Sequence, residues 1–141
     1  MGYTVRAHSD LVWIRAAMII DFGLPLLASG LLRVCSPLRA HAVLVRVGAF
    51  LPELHTPGEA RGAMQALGGR GTCLTRALAV AARAPAADVV IGVAPGGQAP
   101  LLAHAWVEMD GAPIDPSDVA GTVIARLRGP LSTTRDAPAG E

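Results

Sequence analysis

From Leu11 to Phe22 apolar side chains recur at helical spacing, with Leu11, Ile14, Met18, Ile19 and Phe22 on one face. Ser9 or Asp10 can cap that helix, and Met1 to His8 ahead of it reads as a loose arm. Gly23 and Pro25 are expected to stop it, because proline lacks the N–H and its ring clashes with the preceding turn. A second helix is predicted from about Leu26 to Val34. Ser36 caps a third, with Pro37 at its first position; Leu38, Ala42, Val45 and Ala49 line one face and Pro52 ends it. Thr56-Pro57-Gly58-Glu59 is a capping box that opens a fourth helix to about Leu67, closed by Gly68-Gly69.

The texture changes after Arg70. Thr72 can cap a helix from Cys73 to about Arg83, with Leu74, Leu78 and Ala81 on one face and Pro85 just past its end. Val89-Val90-Ile91-Gly92-Val93 is a β-branched run and the clearest strand. Pro95-Gly96-Gly97-Gln98 is a loop that either flanks a groove or only joins strands. Leu101 to Met109 reads as a second strand, Asp110-Gly111 as a two-residue hairpin turn, and Ala112 to Asp115 as a third strand ended by Pro116. A short helix is expected around Val119 to Leu127. Helices followed by a small antiparallel sheet make an α+β chain. Its expected organisation is a helical region over 1–69, a core over 70–128 and a disordered tail over 129–141.

Composition narrows the chemistry. A chain of 141 residues, 52% apolar, suits one domain with a real core, although much of that count is alanine, which adds helix propensity and little burial. All 12 basic residues are arginines, spread singly along the chain; with a net charge of +1 they read as a solvated face and argue against nucleic acid. The missing lysine excludes a Schiff-base lysine, a Ser–Lys dyad and a P-loop. The missing asparagine excludes a Cys–His–Asn triad, so a cysteine nucleophile here needs a carboxylate. Cys35 and Cys73 make no disulfide scaffold and no secretory signal is visible, so a cytoplasmic setting is expected. His8, His41, His55 and His104 lack ligand spacing, so neither a metal nor a cofactor is expected. Trp13 to Leu32 approaches a spanning length of about 20 residues. Arg15, Asp21, Gly23 and Pro25 interrupt it, so two buried amphipathic helices are expected, with a surface docking on a partner or a membrane as the alternative.

The start of the Cys73 helix is where a thiolate is stabilised, because the free N–H groups there carry partial positive charge. Cys73 alone fits a small core residue as readily as a nucleophile. His104, inside an apolar strand, fits a core histidine in the same way. Alternation puts His104, Trp106 and Glu108 on one strand face. If Asp110-Gly111 is a two-residue turn, Met109 faces Ala112, Val107 faces Ile114 and Trp106 faces Asp115. Asp115 then lies on the His104 face one diagonal step away, about 7–8 Å at the backbone. Glu108 is about 13 Å along the strand, Asp110 serves the turn, and Asp118 lies past Pro116. Asp115 is therefore the carboxylate placed to orient His104.

Thr72-Cys73-Leu74-Thr75-Arg76-Ala77-Leu78-Ala79, then Val90-Ile91-Gly92-Val93, then His104-Ala105-Trp106-Val107-Glu108 and Asp110-Gly111, resemble the transglutaminase-like cysteine peptidases of lasso-peptide maturation. The size resembles the stand-alone peptidase of split systems. The likeness covers about residues 70–116; the link Ala84-Pro85-Ala86-Ala87 is shorter than that family usually shows. It implies a transglutaminase-like, papain-like core with Cys73 as nucleophile, His104 as base and then acid, and Asp115 as orienter. It further implies removal of a leader peptide from a ribosomally made precursor. A small leader-recognition protein is an implied partner and the separate ATP-dependent cyclase a further one.

In that scheme the Cys73 backbone N–H is the natural oxyanion donor, and Gln65 is either a second donor or a solvated side chain. Trp106 packs against the triad. Arg76 either binds a carboxylate or braces the helix, and Leu74 and Thr72 support the nucleophile. The rivals are an acyltransferase of the same fold, a non-catalytic peptide-binding subunit and a membrane-associated subunit using Trp13 to Leu32.

Overall fold

The computed structural model describes residues 6–96, 99–116 and 121–134. Its elements run α1 (Arg6–Val34), α2 (Pro37–Gly48), α3 (Pro57–Leu67), α4 (Cys73–Ala81), β1 (Ala87–Gly96), β2 (Ala99–Met109), β3 (Ala112–Pro113) and β4 (Thr122–Leu127).

α1 is one helix where two were expected. It begins at Arg6, inside the segment read as a loose arm, and passes through Gly23 and Pro25. Pro25 removes one N–H bond to the Asp21 carbonyl, a cost of about 3 kcal/mol in a free helix. Here Leu24, Pro25 and Ala28 are buried against the rest of the fold, and that burial offsets the lost bond. Of the expected apolar face, Met18, Ile19 and Phe22 point outward, and Ile19 is 70% exposed; the side chains of Leu11 and Ile14 lie outside the described residues. By length and composition Arg15–Val34 could cross a membrane.

α2 starts as expected, with the Ser36 hydroxyl accepting from the Arg39 N–H at 3.4 Å and Pro37 in the first turn. Its buried face is Ala40, His41, Leu44 and Gly48, not Leu38, Ala42, Val45 and Ala49, and it ends at Gly48, short of Pro52. Closeness outranks apolarity here. A Cβ on Gly48 would stand 1.7 Å from the Ala82 carbonyl oxygen, so the small residues face α4. The capping box of α3 is present, with Thr56 and Glu59 exchanging bonds, and Gly68 closes the helix at φ 56°.

α4 is the central helix, packed by α1, α2 and α3 on one side and by β1 and β2 on the other. Thr75 and every residue from Ala77 to Ala81 are buried. Its alanines are what let five elements approach one helix, so the alanine excess serves burial more than composition suggested.

The sheet is antiparallel, in the order β3-β2-β1-β4. Asp110 and Gly111 both have positive φ, 53° and 77°, which matches the twist of a tight hairpin. The expected register holds, with Met109 opposite Ala112 and Glu108 opposite Pro113. β3 is shorter than expected, but the Ile114 N–H still donates to the Val107 carbonyl at 3.0 Å. Residues 122–127, expected as part of a helix, form β4 beside β1, with Leu127 opposite Val89. The β-branched Thr122-Val123-Ile124 favours this, and Gly121 (φ 67°) permits the entry, because a Cβ there would strike the Val93 carbonyl. The chain stays bound past Gly129, whose N–H donates to Asp88, and Leu131 donates to the Pro85 carbonyl. The segment read as a disordered tail is thus tied down at its start; its remainder, 135–141, lies outside the described residues, as do Gly97, Gln98, Asp118, Val119 and Ala120.

One sheet face, with Val89, Ala105, Val107, Met109 and Leu127, joins the helical core together with Ile114. The other carries Asp88, Val90, His104, Trp106, Glu108 and Arg126, by alternation and register.

Candidate active site

The site is built where α4 begins beside β2. Thr72 is the N-cap; its hydroxyl accepts from the Thr75 N–H at 3.2 Å, and Thr75 donates back to the Thr72 carbonyl at 2.9 Å. This fixes Cys73 at the first helical position, half-buried and with a free thiol. Gly71 takes φ 72°, and a Cβ there would come within 2.4 Å of the Thr75 hydroxyl, so the turn into the helix needs glycine. Leu74 is half-buried against the core.

Cys73 and His104 line one small pocket, of about 30 Å³, together with Met64, Arg76 and Ala105. Among the described residues β3 pairs only with Glu108 and Met109, so the stretch of β2 at His104 and Ala105 has no strand beyond it on that side. The opening lies at this uncovered edge of β2, where Cys73 from the helix layer and His104, on the sheet face turned away from α4, both border it. Asp115 is half-buried. The bond from Ile114 to Val107 carries the hairpin contact one residue past β3, but the chain bends at Ile114 and Asp115, so the expected pairing of Asp115 with Trp106 is not part of the sheet. It is not among the residues that line the pocket.

Trp106 is buried, and its ring stacks on His104 with centroids 6.3 Å apart and planes at 24°. Its indole N–H donates to Glu108 at 3.0 Å. Glu108 accepts from Arg126 at 2.6 Å, Arg126 also reaches Asp88 at 3.4 Å, and Asp88 accepts from the Gly129 N–H at 3.1 Å. Burial alone would lower the Arg126 pKa; the bond and charge of Glu108, with Asp88 behind it, raise it above the ordinary arginine value. A buried polar relay thus runs under the histidine.

Sequence reasoning missed this relay. Arg126 was read with the solvated arginines, and Glu108 was weighed only as a rival orienter. The signal was there in the period of two, since Trp106 and Glu108 share a face and Asp88 opens the most apolar strand. Met64 and Ala105 were missed as well. Gln65, read as a possible oxyanion donor, is exposed on α3; its neighbour Met64 lines the pocket instead. One terminal nitrogen of Arg76 donates to the Gly68 carbonyl at 2.8 Å, tying α4 to the end of α3. No cluster suited to a metal ion occurs among the described residues.

A thiol at a helix start, sharing an opening with an imidazole, is equipped for attack on a carbonyl and for proton transfer to the leaving group. A family model described as Transglutaminase-like superfamily matches residues 52–126, which take in α3, α4 and most of the sheet. No curated protein matches the chain, and no solved structure does.

Proposed function

We propose that this chain, which belongs to the transglutaminase-like superfamily, is a cysteine peptidase that removes the leader from a lasso-peptide precursor. The superfamily's chemistry is that of cysteine peptidases and acyltransferases. The observation that carries the reading is the shared pocket of Cys73 and His104.

The Cys73 thiolate attacks the scissile carbonyl, and the Cys73 backbone N–H at the helix start takes the developing oxyanion. His104 gives its proton to the leaving amine, the new N-terminus of the core peptide. It then takes a proton from water, which attacks the thioester and frees the leader acid and the thiol. Asp115 orients the imidazole, and the stacked Trp106 holds its plane. The partner is a small leader-recognition protein, and the exposed side chains Met18, Ile19 and Leu26 of α1 form an apolar face for it. Ring closure falls to a separate ATP-dependent cyclase, in the cytoplasm. The exposed apolar side of α1 also favours a second reading, that this helix rests on a membrane.

Incubation with a precursor peptide and its recognition protein, followed by weighing of the products, tests the reading. Free leader and free core are expected. A leader joined to another amine would make the protein an acyltransferase, and an unchanged precursor under conditions where the partner binds would make it a non-catalytic binding subunit. Sedimentation with lipid vesicles tests the membrane reading: co-sedimentation that Ile19→Glu abolishes is its expected result.

A further inference from the structure

We infer that Arg76 is a carboxylate-binding residue of the Cys73 pocket, so that the substrate peptide presents an aspartate or glutamate side chain beside the carbonyl that Cys73 attacks. This rests on the reading of Cys73 as the nucleophile.

Arg76 lies three residues after Cys73 on α4, on the same side of the helix, and lines the same pocket. Its guanidinium is anchored on one side only, where Nη1 donates to the Gly68 carbonyl at 2.8 Å. Its Nε–H is buried and has no hydrogen-bond partner among the described residues. Buried donors are nearly always satisfied, so an orphan beside a reactive thiol needs an explanation. With Nη1 held by Gly68, the Nε–Nη2 edge is left without a partner among the described residues, and its parallel N–H groups match the two oxygens of a carboxylate. Charge points the same way. The pocket is lined by Met64, Cys73, Arg76, His104 and Ala105, none of them acidic. Arg76 forms no ion pair among the described residues. A bound carboxylate would satisfy the orphan donor and neutralise the cation in one contact.

Alkylation of Cys73 reads this without a known substrate. Iodoacetate carries a carboxylate and iodoacetamide carries an amide at the same position, and Cys35 serves as the internal reference in peptide mapping. Wild-type protein should show an iodoacetate-to-iodoacetamide rate ratio at Cys73 about tenfold above that at Cys35, and Arg76→Gln should remove the excess. In wild-type protein, succinate should slow iodoacetamide labelling of Cys73 while succinamide does not, which needs no variant to fold. Equal slowing of both reagents in Arg76→Gln, with no protection of the wild-type protein by succinate, would overturn the proposal and leave Arg76 as a structural residue. Labelling needs no turnover. A carboxylate preference without peptide cleavage would therefore sink the peptidase reading alone, and cleavage without the preference would sink only this inference.

Discussion

His104 stacks on Trp106, with ring centroids 6.3 Å apart and planes inclined by 24°. The indole is itself pinned by Glu108 at 3.0 Å, and Glu108 by Arg126 at 2.6 Å. The indole that stacks on the imidazole is thus held by a polar relay that reaches β1 and β4. Trp106→Phe keeps an aromatic ring against His104 and drops the N–H donor. It should cost about 1–2 kcal/mol of stability, against about 3–5 kcal/mol for Trp106→Ala. Urea unfolding of the two variants checks this, and wild-type stability in Trp106→Phe would deny the indole N–H any role.

Arg126→Met should cost about 3–5 kcal/mol, because Asp88 and Glu108 would be left buried without their cation. Replacing all three with apolar residues of similar volume should recover much of the loss. Unchanged stability in the single variant would show that the relay does not form.

His41 is 4% exposed, and burial lowers its pKa from 6.5, with the charge of Asp88 opposing. The unfolded chain therefore takes up a proton that the folded chain refuses once the pH falls below 6.5. The contribution of His41 is full above that value and declines on acidification, by at most about 1.4 kcal/mol per pH unit. His41→Gln should flatten the stability profile on acidification below pH 6.5. A wild-type slope that survives this replacement would contradict the assignment.

Gly48→Ala should destabilise by at least about 1–3 kcal/mol, since the added methyl group would stand 1.7 Å from the Ala82 carbonyl oxygen and α2 would have to retreat. Thermal unfolding measures it. A neutral or raised midpoint would mean that α2 does not sit this close to α4.

The starts of α2, α3 and α4 were legible because capping is local: Ser36, Thr56 and Thr72 each accept from a backbone N–H three residues on. The hairpin was legible because Asp-Gly permits two positive φ angles in succession. What local chemistry does not decide was misread. Pro25 stays in a helix because burial of its neighbours outweighs one bond. The inward face of α2 is set by the closeness that Gly48 allows, and Thr122–Leu127 becomes a strand because β1 offers an edge. In the site, Cys73 and His104 could be picked by residue type and position. The pairing of Arg126 with Glu108 could not, because it depends on a strand that the sequence reading had placed in a helix.

The central claim is that Cys73 cleaves a peptide bond by way of a thioester, and cleavage of the precursor in the presence of hydroxylamine tests it most directly. Wild-type protein should release the core together with leader that ends partly as the hydroxamate, formed when hydroxylamine displaces the thiol, and Cys73→Ala should release neither product. Release of leader and core by Cys73→Ala at the wild-type rate would contradict the account.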